Sequence, residues 1–149
     1  MSDLEDELGA NDNLLIFYAG HGSFKKETDK GYWLLADAAR KEGSSWLSTS
    51  EITDFLNRCK AQHILVVADA CFSGGLLRDF ENETNTEEAY SEIHKIPSRR
   101  AITSGNLEVV PDNSVFLRYL VRALERNDNQ FLSSQELFNR FRLAVISNS

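Results

Sequence analysis

The stretch HILVVADACFSGG (63–75) decides how the rest of the chain is read. It opens with an unbroken apolar run, Ile64 to Ala68, that is short and rich in β-branched residues. Such a run predicts a strand covered on both faces, as in parallel α/β sheets. In open sheets of that kind, sites collect just beyond the carboxyl ends of the strands. At that end stand Asp69, Cys71, Gly74 and Gly75. Two readings of Cys71 follow: a core thiol, the common fate of a free cysteine, or a nucleophile at the rim of a sheet.

A second run of the same kind, LLIFYA (14–19), is bounded by Asp12-Asn13 and by Gly20-His21-Gly22. It too predicts a buried parallel strand. The segment before it, SDLEDELGAND, reads as the end of a helix, with Leu4 and Leu8 on one face and Gly9 closing it. Beyond it, a charged loop (25–31) leads to YWLLADA (32–38), a short strand. Ser48 and Glu51 have capping-box spacing ahead of Ile52, Phe55, Leu56 and Cys59. The acidic, aliphatic-poor segment 78–92 has the composition of a mobile loop, and AITSGN (101–106) of a third strand. Leu117, Leu120, Val121 and Leu124 predict a helix after Asn113 or Ser114. Ser133 and Glu136 predict a further cap before Leu137, Phe141, Ala144 and Val145. Alternating strands and helices give an α/β fold with a mostly parallel sheet.

The bulk numbers narrow the function classes. With 149 residues the chain fits one domain with a real core. Its net charge of -7 gives no electrostatic support for nucleic-acid binding. No apolar stretch approaches membrane-spanning length, so no membrane association is expected. Two cysteines, Cys59 and Cys71, make no disulfide framework and fit a reducing, cytoplasmic compartment. His21, His63 and His94 are dispersed, and no metal site is expected. Cys59 reads as core-facing on its helix, and His63 and His94 receive no role.

If the two apolar strands are neighbours, His21 and Cys71 emerge on one rim. Glycines flank His21, allowing a sharp turn and an uncrowded ring. A free thiol has a pKa of about 8.5 and needs help to ionise at neutral pH. An imidazole across the cleft supplies that help and later protonates a leaving amine. The amides of Gly22 and Cys71 are a candidate oxyanion hole. From the pattern alone, a catalytic pair and two unrelated structural residues both remain open.

YAGHG (18–22) and DACFSG (69–74), with His21 preceding Cys71 by 50 residues, resemble the paired motifs of caspase-like cysteine peptidases of the metacaspase and bacterial branch. YWLLADA and the 113–124 segment are weaker matches to the same family. The resemblance implies a three-layer α/β/α caspase-like fold in which LLIFYA, HILVVADA and AITSG are strands 3, 4 and 5. It implies a single, N-terminally truncated domain over 1–149. Residues 11–77 would be the large-subunit-like part, 78–100 the linker and 101–149 the small-subunit-like part. The strand at Leu14–Tyr18 would then have an open apolar edge, calling for a second copy or a complementing chain.

By the same resemblance, His21 is the base and acid, Cys71 the nucleophile, and Asp69 with Ala19 the S1 pocket. The pocket would select Arg or Lys at P1, a carboxylate facing a cation. The 78–100 linker would hold self-cleavage positions among Arg78, Lys95, Arg99 and Arg100. No cofactor is implied: Asp37 is followed by AARKEGSS rather than an acidic cluster, which argues against calcium dependence. Ala19 stands where many metacaspases have serine. The alternative function is a caspase-like interaction module without activity, or one piece of a split enzyme.

Overall fold

The computed structural model describes residues 2–36, 38, 46–70, 94–104 and 113–148. In chain order the elements are α1 (Ser2–Glu7), β1 (Asn13–Ala19), β2 (His21–Lys25), β3 (Lys30–Leu34), β4 (Trp46–Ser48), α2 (Thr49–Arg58), β5 (His63–Asp69), β6 (Ser98–Thr103), α3 (Val115–Glu125) and α4 (Ser134–Ile146). The protein is mixed α/β. Its main sheet has the order β1-β5-β6, with both pairings parallel. A second, antiparallel sheet has the order β2-β3-β4.

The two apolar runs are neighbours, in register from Asn13 opposite His63 to Ala19 opposite Asp69. Because strand side chains alternate between faces, β5 serves two cores. Ile64, Val66 and Ala68 join Trp33, Ile52, Phe55, Leu56 and Cys59 beneath α2. Val67 and Ile102 join Phe116, Leu120, Ala123, Leu137 and Phe141 beneath α3 and α4. Fully burying a side chain such as Ile52 or Phe55 contributes about 1.5–3 kcal/mol.

The helices begin where side-chain acceptors meet their first amides. At α2, Ser48 Oγ accepts from Glu51 N–H while the Glu51 carboxylate accepts from Ser48 N–H, a complete capping box. Ser114 Oγ accepts from Leu117 N–H at α3, and Ser133 Oγ from Glu136 N–H at α4. On α3 the buried stripe is Phe116, Leu120 and Ala123, whereas Val121 and Leu124 of the expected face are exposed.

Several expectations need correcting. β1 is parallel, but it is not covered on both faces. It stands at the end of the strand order, with Leu15 65% and Phe17 49% exposed. His21-Gly22, expected within a turn, opens β2, because this segment pairs with β3. The expected strand 32–38 is shorter and earlier, Lys30–Leu34, and Asp37 lies outside the described residues.

The linker expected to run to residue 100 ends sooner, because Ser98, Arg99 and Arg100 pair with His63, Ile64 and Leu65 as the start of β6. Arg99 donates to the carbonyls of Cys59, Gln62 and Ser98, which replace the water its guanidinium would otherwise need. Arg99 and Arg100 are therefore strand residues rather than loop positions. Lys95 precedes the strand, and Arg78 lies outside the described residues.

Candidate active site

The rim of the main sheet is built by the last paired residues of β1 and β5. Gly20 N–H donates to Asp69 C=O at 3.2 Å, one step beyond the Ala19–Asp69 pair. The chain then bends at Gly20 and enters β2 at His21. A Cβ at Gly20 would stand 2.8 Å from Tyr18 Oη and 3.0 Å from Tyr18 Cζ. Only glycine fits under that ring without displacing it.

Tyr18 is the residue that sequence reasoning missed. Its ring stacks on Trp33 with centroids 4.3 Å apart. Its hydroxyl lies 2.8 Å from His21 C=O and 2.9 Å from Leu34 C=O, and its single proton serves these two acceptors. Burial raises the Tyr18 pKa. The phenol thereby ties the corner that carries His21 to the end of β3. The His21 residue itself is exposed, and among the described residues its ring has no hydrogen-bond partner. Gly22 lies one residue further along β2, opposite Trp33.

Asp69 is only 2% exposed, and its Oδ1 has no hydrogen-bond partner among the described residues. A buried carboxylate oxygen without a partner is costly. Beside it, Ala19 is exposed and carries only a methyl group. Cys71 lies outside the described residues; in sequence it follows Ala70, and it stands two residues after Asp69 as His21 stands two after Ala19.

The other histidines belong to the opposite end of the sheet. His63 opens β5, about 20 Å from its carboxyl end at about 3.3 Å per residue. Its Nε2 donates to His94 C=O at 2.9 Å, and its Nδ1 pairs with Ser98 Oγ at 3.0 Å. The two imidazoles stack with centroids 4.6 Å apart. Cys59, 3% exposed at the end of α2, is a core thiol, as its helix position implied. Among the described residues no group of three or more His, Cys, Asp or Glu side chains is placed to hold a metal ion. No described helix is long and apolar enough to cross a membrane.

No family model, curated protein or solved structure matches this chain.

Proposed function

We propose that this chain is the catalytic part of a caspase-like cysteine endopeptidase that cuts after Arg or Lys. The observation that carries the reading is the register of β1 and β5: Ala19 pairs with Asp69, and the histidine and cysteine each follow two residues later. Helices against both faces of β5 suit the three-layer caspase-like arrangement. The buried Asp69 carboxylate with an unpartnered oxygen suits an S1 pocket for a cation. No cofactor enters the reaction, and a reducing, cytoplasmic setting keeps the thiol available.

In this reading His21 takes the Cys71 thiol proton, and the sulfur forms a bond to the scissile carbonyl carbon. The carbonyl electron pair moves onto oxygen, held by the amides of Gly22 and Cys71. Collapse breaks the C–N bond as His21 hands its proton to the leaving amine. Water, deprotonated by His21, then adds to the thioester. The C–S bond breaks, releasing the acid and restoring the thiol.

Self-processing would fall at Arg78 or Lys95, because Arg99 and Arg100 are paired in β6. Intact-mass spectrometry beside Cys71→Ala is expected to show shorter species in the wild type only. Identical masses would remove self-processing.

One observation favours the second reading, an interaction module: Leu15 and Phe17 form an exposed apolar face on an edge strand. A second copy or complementing chain at Leu14–Tyr18 would cover it. Hydrolysis of Arg-, Lys- and Asp-terminated fluorogenic peptides separates the two. The peptidase reading predicts cleavage after Arg and Lys, lost in His21→Ala and in Cys71→Ala. Equal rates in wild type and both variants would leave only the interaction reading.

A further inference from the structure

Two buried polar atoms at the carboxyl rim of the main sheet have no hydrogen-bond partner among the described residues: Asp69 Oδ1 and Ser104 Oγ. Strand pairing places them side by side. Thr103 is the partner of Ala68, and Ser104 N–H donates to Ala68 C=O at 3.1 Å, so Ser104 continues β6 next to Asp69. Alternation along the strands sends both side chains to the face that carries Val67 and Ile102. Among the described residues neither oxygen has a partner, the other one included, which leaves an acceptor position on each and a donor on Ser104. The exposed methyl of Ala19 forms the open end of the same row.

Leaving a buried acceptor unsatisfied is costly, and two in adjacent register on one face call for a single ligand that meets both. A planar guanidinium presents five N–H donors in a fixed fork and spans separated acceptors. An ammonium is a compact point charge and meets one acceptor position well at the expense of the other. We infer that Ser104 is a specificity residue. With Asp69 it forms a two-point site for a guanidinium, so that the chain selects arginine over lysine. The carboxylate takes the charge, and the serine oxygen accepts a further N–H. The naming of arginine in a peptide as the ligand rests on the peptidase reading. The guanidinium site itself does not.

The test has a binding arm and a cleavage arm, both on the full chain. Ethylguanidinium and n-butylammonium are titrated by ligand-observed NMR into wild type, Ser104→Ala and Asp69→Asn. Arg- and Lys-terminated fluorogenic peptides are compared by kcat/KM. Wild type is expected to prefer ethylguanidinium. Ser104→Ala is expected to reduce that preference, and the Arg-to-Lys ratio, about tenfold, the scale of one hydrogen bond to a charged group. Asp69→Asn weakens both ligands. Ser104→Ala removes an unpartnered buried hydroxyl, so its melting temperature is expected to be unchanged or raised, and misfolding does not confound the result.

Guanidinium preference that depends on Ser104, without hydrolysis of any peptide, would sustain the site and end the peptidase reading. Cleavage after Arg with the same Arg-to-Lys ratio in Ser104→Ala would end the inference and leave the peptidase reading standing. Absence of guanidinium preference in the wild type, as for a site that holds water only, overturns the inference as well.

Discussion

β1 and β5 lie side by side, run in the same direction and are almost equally apolar, yet they meet opposite surroundings. Along β5 nearly every residue from Ile64 onward is buried, because α2 covers one face and α3 with α4 the other. Along β1 only alternate residues turn inward: Leu14, Ile16 and Tyr18 pack against the α2 core, while Leu15 and Phe17 face outward. An apolar run specifies a strand. Whether both faces are covered depends on which helices reach that strand.

The largest effects should separate these two strands. Phe55→Ala, in the core under α2 and β5, is expected to lower the unfolding free energy by about 3–5 kcal/mol. Phe17→Ser, on the outer face of β1, is expected to change it by less than about 0.5 kcal/mol in the monomer. Chemical denaturation measures both, and a core-sized cost at Phe17 would break the comparison. Should a second copy cover β1, Phe17→Ser also shifts sedimentation toward the monomer. A monodisperse wild-type monomer with this edge open to solvent contradicts the covering proposal.

The inward side of β1 is tested at Gly20. Adding a methyl under the Tyr18 ring at 2.8 Å is expected to cost about 1–3 kcal/mol, as overpacking does. Tyr18→Phe alone should cost about 1 kcal/mol through its lost hydrogen bonds. The double variant should lose less than the sum, because the closest clash leaves with the hydroxyl. In the peptidase reading Tyr18→Phe lowers kcat with little change in KM, since the phenol positions His21 and touches no substrate.

The cap of α2 gives an effect of about the size expected for Tyr18→Phe. Ser48→Ala is expected to cost about 1 kcal/mol near neutral pH. The hydroxyl of Ser48, and then its N–H, hold the Glu51 carboxyl below its ordinary pKa, with desolvation opposing. A lowered folded pKa gives stability that is present above the unfolded value and lost as pH falls through the folded one. The gap between wild type and Ser48→Ala should therefore narrow in acid. A gap independent of pH would separate the cap from the carboxylate.

Much of the architecture was legible because it follows from local chemistry. Apolar runs gave β1 and β5, the Ser48/Glu51 and Ser133/Glu136 spacings gave the starts of α2 and α4, and leucine periodicity placed α3 after Asn113 or Ser114. What was not legible depends on contacts distant in sequence. β2 reads as a glycine-rich turn until β3 pairs with it, and β4 has only three residues. The start of β6, Ser98-Arg99-Arg100, reads as surface loop because its strand partner, His63–Leu65, lies 35 residues upstream. At the candidate site, His21 and Asp69 were singled out by strand ends and motif spacing, and the strand register brings the two strand ends together. Tyr18 was hidden inside an apolar run, and Ser104 had no signal until its hydroxyl was found buried without a partner.

The central claim is that Cys71 is a nucleophile activated by His21 in a site that takes a basic P1 residue. Labelling with an arginyl chloromethyl ketone, followed by peptide mapping, tests it most directly, because buried Cys59 is an internal control. The account predicts one adduct, on Cys71, lost in His21→Ala and slowed in Asp69→Asn. Labelling that is absent from Cys71, or that proceeds equally well without His21, would contradict it.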